Sequence, residues 1–113
     1  MTEFCYVTSR GRVTGKAHRI EIWFAPAAGG GTLYLLSGGG ESSDWVRNLR
    51  AEPSATVELD GQEHRATARF PDPGTAEDAE ARRLVTTKYQ PGYDGDLSGW
   101  RERSLVVALD LLD

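Results

Sequence analysis

Hydrophobic and polar residues alternate with a two-residue period along most of the chain, which is typical of β-strands. The clearest case is His18–Ala25. There Ile20 and Ile22 share one face, and Trp23 falls on the opposite face. Similar patterns predict five more strands: Phe4–Ser9, Thr32–Ser37, Thr56–Leu59, Gln62–Phe70 and Leu105–Leu111.

Two segments depart from this period and predict helices. Ser43 or Asp44 can cap a helix whose apolar residues recur at three- and four-residue spacing, until Pro53 ends it. Thr75 begins a capping box in front of Ala76–Tyr89, which is rich in helix-forming residues. Residues 90–99 predict an irregular loop, because they hold three glycines and a proline.

The order of these elements predicts the fold class. About six strands with two or three short helices between hairpins favour a mainly β (α+β) fold, a small antiparallel barrel rather than a parallel sheet. A chain of 113 residues is long enough for one core but not for two. We therefore expect a single domain over residues 1–113.

Charge is distributed unevenly along the chain. The net charge is −4, but residues 1–50 carry six basic and four acidic side chains, whereas residues 51–113 carry seven and thirteen. One acid-free stretch concentrates four basic residues: Arg10, Arg12, Lys16 and Arg19. A pI near 5.2 argues against a general nucleic-acid-binding protein. The basic stretch is still compatible with a local anion-binding site.

The sequence predicts neither a membrane span nor export. The longest uncharged apolar run, Leu105–Leu109, is far shorter than the roughly 20 residues that cross a bilayer. Residues Met1–Phe4 lack the features of a signal peptide. The single cysteine, Cys5, cannot form an internal disulfide and is expected to pack as a small apolar residue. We expect a cytoplasmic protein.

Two glycine-rich segments are candidates for binding an anion. The turn Arg10–Lys16 offers close backbone approach, the Thr14 hydroxyl and several cations, which suit phosphate or carboxylate. The loop Ser37–Gly40 leads into a helix N-terminus, which attracts anions. The alternatives are a solvated hairpin tip and a flexible connection in front of Trp45 in the core.

Other chemistry is concentrated near the C-terminus. Tyr89, Tyr93 and Trp100, with Arg101 and Arg103 beside them, can form a wall over a planar ligand or simply anchor a loop. The two histidines and the cysteine show no ligand spacing, so no metal site is expected. No Gly-x-Ser-x-Gly nucleophile motif is present.

Two motifs give the chain a resemblance to the deazaflavin-dependent nitroreductase family. Gly11–Gly15 matches a Gly-Arg-x-Ser/Thr-Gly turn, and Trp45–Pro53 matches Trp-x-x-Asn-Leu-x-x-x-Pro. The similarity continues to Trp100 and Arg103, so it covers nearly the whole chain. It implies a split β-barrel of the flavin-reductase and pyridoxamine-oxidase type, which uses reduced coenzyme F420 as a hydride donor.

The resemblance also implies which residues bind. The phosphate and acidic tail of the cofactor would be held by twelve residues: Arg10, Arg12, Val13, Thr14, Gly15, Lys16, Ser37, Gly38, Gly39, Gly40, Trp45 and Asn48. Tyr89 and Tyr93 resemble the substrate-side tyrosines of the family. They would stack on a small quinone, enone or nitro acceptor or donate to its oxygen.

Three departures from the family pattern accompany this resemblance. Val13 and Gly38 stand where lysine is common, and the first strand begins at Phe4 without the helical extension of longer members. FMN is an alternative cofactor, and a non-catalytic carrier of deazaflavin or another amphipathic anion is an alternative function. Trp23, expected to face outward, is consistent with a homodimer contact or with a cofactor wall.

Overall fold

The computed structural model describes residues 3–112. Within them lie seven strands: β1 (Phe4–Arg10), β2 (Ala17–Trp23), β3 (Ala25–Pro26), β4 (Thr32–Ser37), β5 (Ser54–Leu59), β6 (Gln62–Arg69) and β7 (Leu105–Leu111). The same residues form three α-helices: α1 (Asp44–Ala51), α2 (Ala76–Tyr89) and α3 (Ser98–Arg103). Two short 3-10 turns cover Gly40–Ser42 and Gln90–Gly92.

The strands form one antiparallel sheet in the order β2-β1-β5-β6-β7-β4-β3. Its two edges are β2 and β3, yet only Phe24 separates them in the chain. The edges of a flat sheet of seven strands would lie roughly 29 Å apart, whereas two Cα steps span about 7 Å. The sheet must therefore curl until its edges meet, which confirms the predicted split barrel.

Most elements lie where the sequence pattern predicts them, and two predictions were wrong. The bounds of β4, α2 and β7 agree with the predicted segments. The predicted strand His18–Ala25 is interrupted, because the chain leaves one sheet edge at Trp23 and joins the other as the two-residue strand β3. Helix α3 begins inside the predicted irregular loop, where Arg82 of α2 donates to the carbonyl oxygen of Arg101.

Strand β4 is buried on both faces of the sheet, which explains its continuous apolar run. Leu33 and Leu35 join a core inside the barrel that α1 closes, whereas Tyr34 and Leu36 join a second core under α2. Cys5 belongs to the first core and is 0% exposed, as predicted for a small apolar residue. Burial raises the pKa of its thiol to about 12.

A charged cluster joins β4, β6 and β7 to the start of α2. Arg69 forms ion pairs with Glu77 and Asp110, each at 2.6 Å. The Tyr34 hydroxyl also donates to Glu77, and the Thr32 hydroxyl to Asp110. Hydrogen bonds from Arg69 are the main cause that lowers the pKa of both carboxyl groups. The cluster therefore stabilises the fold while these groups are ionised.

We expect Arg69→Met to lower the free energy of unfolding by about 1 kcal/mol at pH 7 and by less at pH 3. The folded pKa values of Glu77 and Asp110 lie below their unfolded values near 4. Their contribution is therefore present above pH 4 and is lost as the pH falls through the folded values. Urea unfolding at both pH values measures it.

The control is Arg83→Met, which removes an arginine whose ion pair with Glu80 lies within one helix. This variant should lose less stability than Arg69→Met at pH 7. An equal loss for Arg69→Met at pH 7 and pH 3 would contradict the role given to the two carboxylates.

Candidate functional site

The basic turn between β1 and β2 folds onto helix α1. The backbone N–H and the Nη1 of Arg12 both donate to Asn48 Oδ1, at 3.2 and 2.8 Å. Its Nη2 lies 3.3 Å from Asp44 Oδ1. Asn48 is only 4% exposed, so the contact fixes the turn against a buried side chain. The structure thus brings together two residues that the sequence placed in one site.

Internal hydrogen bonds close this turn and leave its tip open. The Gly11 N–H donates to the carbonyl of Lys16, and the Gly15 N–H donates to the carbonyl of Gly11, both at 2.8 Å. Gly15 has a φ of +76°, a conformation that favours glycine. The backbone N–H groups of Val13 and Thr14 at the tip find no acceptor within residues 3–112. They remain available to a ligand.

A cavity of about 260 Å³ lies between the turn and α1. Its lining residues are Gly11, Arg12, Val13, Thr14, His18, Asp44 and Asn48, and the Asp44 carboxylate is the one that pairs with Arg12. The Lys16 side chain forms no ion pair with any described residue, so its charge is also uncompensated. Free N–H groups beside cations can hold a phosphate or a carboxylate.

Arg10 lies apart from this cavity. Its Nη1 donates to the carbonyl of Gly15 at 3.0 Å, and its side chain lines a larger cleft of about 520 Å³ along β1, β5 and β6. None of the other predicted site residues lines that cleft. Of the predicted cations, Arg12 lines the cavity at the tip of the turn, and Arg10 bonds to the turn from the side of the larger cleft. Lys16 follows the tip, where its backbone N–H donates to the Thr14 hydroxyl.

The loop Ser37–Gly40 is bonded to the start of α1. The buried Ser37 hydroxyl donates to the carbonyl of Gly40 at 3.2 Å and shares a 2.9 Å hydrogen bond with the Ser43 hydroxyl. Ser43 is the N-cap residue of α1, but its side chain makes no capping bond to the helix. The first N–H groups of α1 thus have no side-chain cap. Trp45, in the first turn of α1, is half-buried against the core inside the barrel.

Four aromatic residues form a cluster beside helix α2. The rings of Trp23 and Tyr89 stack at 4.3 Å, nearly parallel. Tyr93 and Trp100 meet the Trp23 ring edge-on at 6.0 and 5.7 Å. Trp23 is therefore half-buried, so the expectation of an outward-facing tryptophan was wrong. The ring lies on the face opposite Ile22, but α2 and the segment after it cover that face.

The two predicted tyrosines have different surroundings. The Tyr89 hydroxyl accepts from the Phe24 N–H at 3.1 Å and also bonds to the carbonyls of Phe24 and Glu3. Burial is the main cause that raises the pKa of Tyr89. Tyr93 is 48% exposed, and its hydroxyl has no partner among the residues that the structure describes. Tyr89 thus bonds to the main chain, while Tyr93 is open to a ligand.

Trp100 connects the aromatic cluster to the glycine loop. A Cβ at Gly38 would lie 3.1 Å from Trp100 Nε1, so the indole packs closely on this glycine. The loop in turn bonds to Ser43 before α1, and α1 carries the Asn48 that holds Arg12. One continuous series of contacts therefore joins the basic turn to the aromatic cluster.

Residues 3–112 contain no group of three histidine, cysteine or acidic side chains able to hold a metal ion. No helix in this part of the chain combines the length and the hydropathy that a bilayer span requires.

A protein-family profile matches nearly the whole chain. The profile of the family described as F420H(2)-dependent quinone reductase matches residues 1–111. The chain belongs to this family. The protein is therefore an oxidoreductase, and its fold and motifs agree with the resemblance drawn from the sequence. Among curated protein sequences, none matches the chain.

Solved structures show the same fold at low sequence identity. An F420-H2 dependent reductase, FDR-A, matches with a TM-score of 0.75 and 16% identity over 95% of this chain and 93% of its own. The heme storage protein HutZ from Vibrio cholerae matches with a TM-score of 0.76 and 9% identity, over 99% and 83%. A protein solved as a domain-swapped dimer gives 0.74 and 17%, over 95% and 79%.

Neither Trp23 nor Trp100 is among the residues that the sequence predicts to bind the cofactor. The sequence is consistent with a homodimer contact or a cofactor wall for Trp23, and with a wall over a planar ligand or a loop anchor for Trp100. The available signal was the strand period, which places Trp23 on the face opposite Ile20 and Ile22. The strand pattern does not show which element covers this face. That element is α2, which lies far from Trp23 along the chain.

We expect Gly38→Ala to displace Trp100 and shift the tryptophan emission and the near-UV circular dichroism. The added Cβ would lie 3.1 Å from Trp100 Nε1, closer than most such contacts allow. Gly29→Ala is the matched control, because a Cβ at that exposed loop glycine meets nothing within 4 Å. Unchanged spectra for Gly38→Ala would show that Trp100 does not rest on Gly38.

Proposed function

We propose that the protein binds reduced coenzyme F420 and transfers a hydride to a small activated acceptor, a quinone, an enone or a nitro compound. The observation that carries the proposal is the continuous series of contacts from the basic turn between β1 and β2 to the aromatic cluster beside α2. The cofactor has a flat ring at one end and a phosphate with an acidic tail at the other. A site with aromatic rings at one end and cations with free N–H groups at the other complements it.

The turn and the start of α1 would hold the charged part of the cofactor. Lys16 would supply a cation, and the N–H groups of Val13 and Thr14 would donate to phosphate oxygens. Arg12 is already bonded to Asn48, so we assign it mainly to shaping the turn. With valine at position 13 and glycine at position 38, backbone N–H groups take a larger share of the binding.

The aromatic cluster would form the wall beside the ring of the cofactor. When bound, reduced F420 supplies the hydride, and the protein needs to orient the reactants and stabilise developing negative charge. Trp23 and Trp100 would orient the ring and exclude water. Tyr89 would hold the position of Trp23 by stacking, while the free Tyr93 hydroxyl would donate a hydrogen bond to the acceptor oxygen.

Location and assembly complete the proposal. We propose a cytoplasmic location, because a chain with one cysteine has no internal disulfide, which agrees with a reducing compartment. A relative in fold that was solved as a domain-swapped dimer supports testing for a homodimer by size-exclusion chromatography with light scattering. FMN is the alternative cofactor and belongs in the same binding experiments.

We expect Lys16→Ala to weaken F420 binding about tenfold at low salt, and less at moderate salt, because ions screen exposed charges. Fluorescence titration of the purified protein with F420, in parallel with FMN, measures the affinities. Arg19→Ala is the matched control, since it removes a cation three residues further along, on β2, that already pairs with Glu58 at 3.4 Å.

Three results would count against this proposal. Preference for FMN would replace the cofactor, and binding without turnover of any acceptor would favour the carrier function. Equal losses in Lys16→Ala and Arg19→Ala would remove the turn from the site.

Removing the hydroxyl group should have different effects at the two tyrosines. We expect Tyr93→Phe to keep the wild-type stability and to lower kcat with a simple quinone at least about tenfold, because it removes a donor to the acceptor. Tyr89→Phe should instead lower the free energy of unfolding by about 1–3 kcal/mol, since the buried Phe24 N–H loses its acceptor. Urea unfolding and steady-state kinetics distinguish them, and the reverse pattern would exchange their roles.

A further inference from the structure

A second cavity lies where helix α2 covers the bend between β2 and β3. It has a volume of about 450 Å³, and five of its lining residues are apolar: Phe24, Ala25, Pro26, Leu59 and Leu84. None of the residues predicted to bind the cofactor lines it, and neither do Trp23 and Trp100. The cavity is therefore separate from the candidate site described above.

Lys88 brings a positive charge into this apolar surrounding. Its Nζ donates to the carbonyl of Phe24 at 2.8 Å and lies 3.5 Å from the centre of the Phe24 ring. Burial is the main cause that lowers the pKa of Lys88. The described part of the chain places no carboxylate in an ion pair with it. A half-buried ammonium without a counterion favours binding an anion.

The other cation on the cavity wall differs from Lys88. Arg83 is exposed and pairs with Glu80, which accepts from its Nε at 2.7 Å. Two carboxylates act on Lys88 through space: Asp60, from the turn between β5 and β6, which also lines the cavity, and Glu3, just before β1. Among residues 3–112, Lys88 forms no ion pair, whereas Arg83 does.

We propose that this cavity binds a small carboxylic acid with an apolar body. An ammonium group has three N–H donors, and Phe24 accepts one of them, so the others can bind a carboxylate. The apolar body would pack against the side chains that line the cavity, with Leu59 on one wall and Leu84 on the other. This binding site goes beyond the proposed reaction and does not depend on it.

The test compares an acid with its neutral counterpart of the same shape. 2-Naphthoate and 2-naphthamide are titrated against the purified protein by ligand-observed NMR. We expect wild type to bind naphthoate about tenfold more tightly than naphthamide, which is the effect of one charge-assisted hydrogen bond in a half-exposed site. In Lys88→Met this preference should disappear while naphthamide still binds.

Arg83→Met is the matched control, because it removes a cation from the same cavity wall that already has a partner. It should keep the preference for naphthoate. Thr87→Trp fills the cavity from an exposed position of α2 and should abolish binding of both probes, which keeps the proposal testable if Lys88→Met does not fold.

Absence of saturable naphthoate binding in wild type would overturn the proposal, and so would a preference that survives in Lys88→Met. Lys16→Ala separates this site from the proposed cofactor site. That variant should bind naphthoate as wild type does, so a failure of F420 binding and a failure of naphthoate binding are distinguishable.

Discussion

Closure of the barrel depends on hydrogen bonds to the backbone of Phe24, the residue that separates the two sheet edges. Phe24 belongs to neither β2 nor β3, so its N–H and C=O have no place in the hydrogen-bond ladders of the sheet. Each would cost about 1–3 kcal/mol if it were buried without a partner. Tyr89 and Lys88 supply the partners from α2. Closure of the barrel therefore requires a helix that follows six of the seven strands along the chain.

The same helix arranges the aromatic cluster. Tyr89 bonds to the closure point through its hydroxyl and stacks on Trp23 through its ring. One side of α2 also carries the buried pair of Asp78 and Arg82, joined at 2.8 Å, and Arg82 donates to the last turn of α3, which holds Trp100. Two walls of the site thus depend on one helix, and damage to its packing affects barrel closure and site shape together.

The features that could be predicted from the sequence are those that depend on neighbouring residues along the chain. The bounds of β4, α2 and β7 were correct because the pattern inside each segment determines the element. Helix α3 has six residues, one of them Gly99, and its end is held by α2, so its own sequence gives little signal. The contact of Arg12 with Asn48 joins the two motifs that carried the family resemblance, although spacing alone does not reveal that they touch. The stacking of Trp23 on Tyr89 depends on the curl of the sheet and was not predictable.

The reactivity of the single thiol, Cys5, reports on opening of the barrel. Cys5 lies on β1, between β2 and β5, fully shielded, and at neutral pH almost none of it is thiolate, the form that reacts. A thiol reagent can reach it only when the strands separate, so its labelling rate measures opening of the barrel rather than motion at the surface. A cysteine introduced at the exposed Val13 would react far faster, which allows a dye to be attached at the tip of the basic turn with the native thiol left in place.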